Sequence, residues 1–168
     1  KAELVVYHST DESRERISNM MADERSENNR AGKSTKWVLP AGPTREYEFL
    51  IDRVNREGIS RNNLWVFNMD EVLDWEGRPY PIGDTYESLE GTLIACFYTR
   101  VDKALADPES QRNWPRINNL DAAVQLCRRL GGIHTVWAGG GWQGLVAFIE
   151  QPRRSSYRCP QEQDARPR

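Results

Sequence analysis

The segment Phe67-Asn68-Met69-Asp70-Glu71 closes an apolar run with two adjacent carboxylic acids. A carboxylate at the carboxyl end of a strand is placed to take a proton from a bound carbon acid and return it elsewhere. The plainer use of the same pair is to cap a helix or turn. Upstream, Pro40-Ala41-Gly42-Pro43-Thr44 joins a strand-like run to a helical one, where backbone N–H groups and a helix N-terminus can hold a phosphate. An ordinary strand-to-helix turn reads identically. Downstream, Gly139-Gly140-Gly141 lets the backbone turn sharply and approach a ligand closely, and Trp142 beside it offers a ring face for stacking or for simple packing.

These segments need elements to position them. Apolar periodicity alternates between strand-like runs and helical stripes, the pattern of an α/β fold: an open, mainly parallel sheet with helices on both faces, Rossmann-like and three-layered. Leu4-Val5-Val6-Tyr7 reads as a buried strand, followed by a polar helix capped by Asp11, with Ile17, Met20 and Met21 as its stripe and an end before Gly32. Trp37-Val38-Leu39 is a second strand. Thr44 then caps a helix bearing Tyr47, Leu50, Ile51 and Val54 at i, i+3, i+4, i+7 spacing and ended by Gly58. Leu64-Trp65-Val66-Phe67 is the third strand and leads directly into Asp70. Asp84 and Glu87 form a capping pair for a helix with Tyr86, Leu89, Leu93, Cys96 and Phe97, lasting to about Arg100. Residues 102–116 read as a polar excursion. A short helix with Leu120, Ala123, Val124 and Cys127 on one face precedes a fourth strand, Ile133-His134-Thr135-Val136-Trp137-Ala138. His134 reads as a structural histidine, and His8 ends the first strand without a clear task. After Gln151 the chain is basic and poor in large apolar residues, so residues 1–152 form the domain and 153–168 a mobile tail.

A chain of 168 residues with a hydrophobic fraction of 38% suits one domain with its own core. Its 23 basic and 25 acidic residues make no field that would gather nucleic acid or an anionic membrane. Cys96, Cys127 and Cys159 are odd in number and widely spaced, which fits reduced thiols and a cytoplasmic setting better than a disulfide frame or zinc site. The longest apolar runs are strand-sized, and the amino end lacks a basic segment followed by an apolar one, so neither a spanning helix nor a signal peptide is expected. No cofactor and no metal are implied. A homo-oligomer stays open.

Three segments in order, Val38-Leu39-Pro40-Ala41-Gly42-Pro43-Thr44, Phe67-Asn68-Met69-Asp70-Glu71, and Ile133-His134 through Glu150, resemble the glucosamine-6-phosphate deaminase/isomerase family, which has a modified Rossmann fold. The resemblance spans most of residues 1–152. It implies a phosphorylated sugar as the bound small molecule and Asp70 as the base that moves a proton between C2 and C1. It further implies Gly139 against the sugar, Glu150 in support of the ring-opening group, and Gly42 with Thr44 at the phosphate, Pro43 lying between them. Glu71, Gly140 and Trp142 join the substrate-binding set, and Gln143 joins Asp70 and Glu150 in the catalytic one.

The departures from that family are chemically pointed. Pro43 has no N–H to give a phosphate. Leu145 stands where the family has the histidine that opens the pyranose ring, and a leucine cannot titrate. Gln143 stands where the family has an aspartate; it can hold a hydrogen bond but carries no charge. The family chain also continues past this point. Three readings follow: a sugar-phosphate isomerase, with or without deamination, using Asp70 on an open-chain substrate; a noncatalytic relative that binds a sugar phosphate or a protein partner; and a fragment whose open sheet edge another chain covers.

Overall fold

The computed structural model describes residues 3–42, 44–84 and 86–139. Its sheet has four parallel strands, β1 (Thr35–Leu39), β2 (Leu64–Asn68), β3 (Arg112–Asn113) and β4 (Thr135–Val136), in the order β3-β2-β1-β4. The helices are α1 (Thr10–Arg30), α2 (Thr44–Glu57), α3 (Leu89–Leu93) and α4 (Leu120–Arg129). The α/β, Rossmann-like architecture is therefore present.

Alternate strand residues face two different environments, because successive side chains of a strand point to opposite faces. Trp37, Leu39, Leu64 and Val66 are fully buried beneath α1 and α2, with Met21, Ala22, Tyr47, Leu50 and Val54 supplying the helical side of the core. The α2 stripe is the expected one. On the opposite face Lys36 Nζ donates to the Leu130 carbonyl at 2.8 Å, which pins the carboxyl end of α4 with a cation where carbonyls lack partners. The rest of α4 stands off the sheet. Leu120 and Val124 are half exposed, and a cavity of 480 Å³ lies between them and Val38, Phe67 and Met69.

Several local expectations change. Leu4-Val5-Val6-Tyr7 forms no strand, and Leu4 and Val6 are 89% and 82% exposed. An apolar run becomes a strand only where a sheet edge and a covering layer receive it, and among the described residues β1 is flanked by β2 and β4 instead. Ser9, not Asp11, caps α1: its Oγ accepts from Glu12 N, and Glu12 Oε2 accepts in return from His8 N. The buried stripe of α1 is Ser18, Met21, Ala22 and Arg25, leaving Met20 45% exposed. Ser18 is tolerated there because its hydroxyl lies 2.8 Å from the Arg14 carbonyl and 2.6 Å from that of Glu46.

The Asp84–Glu87 pair does not start α3. Asp84 Oδ1 accepts from the amides of Tyr86 and Glu87 in a preceding turn, Tyr86 is fully exposed, and Ser88 is the cap, its Oγ accepting from Gly91 N. The helix continues as a π-helical turn at Ile94–Tyr98. Gly91 is required by packing, because a Cβ there would collide with the Ile82 carbonyl. The polar excursion contains β3, too short for any periodicity to reveal. The regular part of β4 is shorter than expected, although His134 N and Trp137 N still donate to β1 carbonyls. His134 is exposed.

At the amino end of the strands Asp107 is almost completely buried and pairs with two arginines, Arg61 and Arg112. The Arg61 guanidinium lies 4.0 Å from the Phe97 ring centre and that of Arg112 4.4 Å from Tyr98. Burial pushes Arg61 below its usual pKa while the Asp107 carboxylate opposes that shift. Removing the carboxylate strands two cations. Asp107→Ala should therefore cost about 3–5 kcal/mol, the usual cost of breaking a buried pair, read as a lower denaturant midpoint in chemical unfolding.

Candidate functional site

The carboxyl ends of β2, β1 and β4 meet at one rim. Met69 N donates to Leu39 O at 2.8 Å and Trp137 N to Val38 O at 3.0 Å, so the segments leaving β2 and β4 flank the turn that leaves β1. The order of connection reverses between β1 and β4, since the chain steps outward from β1 to β2 to β3 and then returns to the other side. In open α/β sheets that reversal opens a crevice. Here it is a cavity of 240 Å³ bounded by Pro40 on one side and Ala138 and Gly139 on the other. Gly42 and Gly139 are both exposed, with nothing within 4 Å of where a Cβ would stand.

Asp70 lies two residues beyond β2. The Ala41 backbone amide donates to its carboxylate, tying it to the turn after β1, while Asp70 Oδ1 is buried with no hydrogen-bond partner. Burial raises its pKa above the ordinary carboxylate value, the Ala41 amide opposes this, and the neighbouring Glu71 charge adds to it. A half-buried carboxylate with an unused oxygen at a ligand-binding rim can accept and release a proton.

Glu71 is engaged differently. Its Oε1 accepts from Leu89 N at 2.8 Å and Val72 N at 3.0 Å, and its Oε2 accepts from Glu90 N at 2.9 Å. It thus holds the first amides of α3, the capping use open to an acidic pair. The phosphate turn also has fewer donors than its sequence suggests. Thr44 N donates to Gly42 O at 2.9 Å, Ala41 N serves Asp70, and Pro43 has none. What remains for an anion is the Gly42 amide and the first free amides of α2.

The structure thus brings Asp70, Glu71, Gly42, Thr44 and Gly139 to one end of the sheet. Pro43, Gly140, Trp142, Gln143, Leu145 and Glu150, and the tail with Cys159, lie outside the described residues. Cys96 and Cys127 are free thiols, and no described helix is long and apolar enough to cross a membrane. The sequence reading missed the tie from the Ala41 amide to Asp70; no residue type signals a backbone donor.

No family model matches the chain, and no curated protein matches it in sequence. A solved structure matches at a TM-score of 0.69 and 21% identity, covering 88% of this chain. That structure is a monomeric glucosamine-6-phosphate deaminase, described as a missing link of the NagB superfamily. The likeness is one of fold. This chain spans 58% of the length of that deaminase.

Two measurements probe the site residues. For Asp70, a raised native pKa means that the charged form is penalised on folding, so stability is lost as pH rises through the unfolded and then the native value. Asp70→Asn should accordingly melt higher than the parent at neutral pH, with the gain shrinking as pH falls towards 3.8. For Glu71, replacement by Ala frees three amides and should destabilise by about 1–3 kcal/mol in urea unfolding, the range for losing hydrogen bonds to a charged group.

Proposed function

We propose that the chain binds a phosphorylated sugar at the carboxyl rim of its sheet and interconverts aldose and ketose forms, with Asp70 carrying the proton. The observation that carries this reading is the half-buried Asp70 carboxylate, held by the Ala41 amide beside the turn after β1 with its Oδ1 unpartnered. A raised pKa brings such a base towards the pH at which it must both take and return a proton. The fold shared with a glucosamine-6-phosphate deaminase supports the substrate class. Deamination of an amino sugar is the narrower form of the same proposal, since it uses the same proton transfer.

In this reading Gly42 and the amino end of α2 receive the phosphate, Thr44 supplies a hydroxyl, and Gly139 and Gly140 give the sugar a close backbone approach, with Trp142 stacked on its C–H face. Glu150 and Gln143 orient polar groups of the substrate. Leu145 cannot open a pyranose ring, so the productive substrate is the open-chain form.

A second reading is favoured by the same turn. With Thr44 N engaged by Gly42 O and Pro43 lacking an N–H, phosphate is held by few donors, as suits a binder that has lost catalysis. Turnover separates the two. Glucosamine 6-phosphate and water should be converted to fructose 6-phosphate and ammonia, or a ketose phosphate isomerised to its aldose, and Asp70→Asn should lower kcat by at least about a hundredfold while sugar-phosphate stabilisation in a thermal shift persists. Stabilisation without turnover in the parent chain selects the noncatalytic reading, and no response to any sugar phosphate removes sugar-phosphate binding and leaves only the binding of a protein partner.

A further inference from the structure

The α4 face of the sheet is less covered than the α1 face. Lys36 reaches the carboxyl end of α4 from this side, and Val38, two residues further along β1, points the same way. Its register partner in β2 is Phe67. Both are only half-buried, whereas Trp37, Leu39, Leu64 and Val66 on the other face are closed off beneath α1 and α2. Parallel sheets ordinarily have both faces covered.

Helix α4 does not complete that cover. Leu120, Ala123, Val124 and Cys127 follow one another at i, i+3, i+4, i+7, and all four line the 480 Å³ cavity that separates the helix from Val38 and Phe67. None of the residues of α4 is buried. Two apolar surfaces thus face each other across a gap, and protein interiors hold few gaps larger than a water molecule.

The chain itself carries a segment of matching character. Beyond Gly139 its only apolar run is Leu145-Val146-Ala147-Phe148-Ile149, and the residues after Gln151 are mainly polar and charged. Reach is sufficient. Gly139 lies three residues past Val136, the register partner of Val38, so that wall of the cavity is about 11 Å away, and the step from Gly139 to Leu145 spans up to about 20 Å. The crevice on the α1 face is half the size, at 240 Å³, and is bordered by the charged Glu46.

We propose that residues 145–149 dock into the cavity between α4 and the sheet, covering the stripe of α4 on one side and Val38 with Phe67 on the other. Residues 140–144 pass over the carboxyl rim to reach it. Leu145, which cannot titrate, then serves as an apolar anchor. The inference concerns packing and does not rest on the sugar-phosphate reading, so either can fail alone.

Cys127 lines the cavity and Cys96 does not, so the two free thiols separate docking from unfolding. In the full chain carrying Cys159→Ser, alkylation by iodoacetamide is followed at each thiol by peptide mapping. Phe148→Asp should raise the rate at Cys127 at least tenfold and leave Cys96 unchanged. A rise at both thiols signals unfolding, and cross-linking then decides. Leu145→Cys, Phe148→Cys and Ile149→Cys, each made with Cys159→Ser and Cys96→Ser, should between them yield a disulfide to Cys127 within one chain, at least tenfold faster than Gln161→Cys in the same background. The proposal is overturned if Phe148→Asp leaves Cys127 alkylation unchanged, or if none of the three variants links faster than Gln161→Cys, which leaves the cavity to a ligand or another protein. Links that join two chains overturn it as well and assign the cavity to the segment of a second copy.

Discussion

The molecule depends on β1 being hydrogen-bonded along both of its edges. Five residues pair with β2, from Thr35 opposite Leu64 to Leu39 opposite Asn68, and Trp37 and Val38 pair with Thr135 and Val136 of β4. All three strands run the same way, so each must be reached by a crossover, and their carboxyl ends are forced to one side. Strands spaced about 4.8 Å apart put the ends of β2 and β4 roughly 10 Å from each other, with the β1 turn between them. Asp70 and Gly139 therefore lie at the same end of the sheet because of a ladder register, although Asp70 is not among the residues lining the cavity beside Gly139.

The buried arginine cluster and the Asp70 carboxylate occupy opposite ends of this ladder. Arg25, Arg61 and Arg112 gather near the first residues of β1, β2 and β3. Arg25 donates to Thr35 Oγ1 at 3.1 Å, and burial, with the Arg61 charge adding and Asp107 opposing, lowers its pKa to about 10. One buried carboxylate organising several cations and aromatic rings gives a rigid base. The carboxyl rim carries open glycines and an unused carboxylate oxygen on Asp70. An unsatisfied buried group of this kind costs folding energy.

Much of this was readable from residues. The stripe Tyr47, Leu50, Ile51 and Val54 specified α2, and the run 64–67 placed Asp70 just beyond β2, because period and length alone determine such elements. Where the reading failed, a tertiary partner had outweighed a local pattern. Leu4 to Tyr7 have strand composition but pair with no strand among the described residues; Ser18 and Arg25 look like surface residues yet are buried because carbonyls and Thr35 receive them. Glu71 shows the same limit at the rim, since its role as the holder of α3 depends on amides 18 and 19 residues away. Nothing local distinguishes the two acids of the pair, although only Asp70 keeps an oxygen unused.

The π-helical turn at Ile94–Tyr98 has a bearing on which residues its helix buries. Thr99 N reaches back five residues to Ile94 O, so the hydrogen-bonded loop here spans one residue more than in the regular form. That surplus lets neighbouring Phe97 and Tyr98 both be buried, one ring under Arg61 and the other against Trp114. A uniform period of about 3.6 residues read from Leu89 through this turn therefore assigns the wrong face to the residues beyond Ile94.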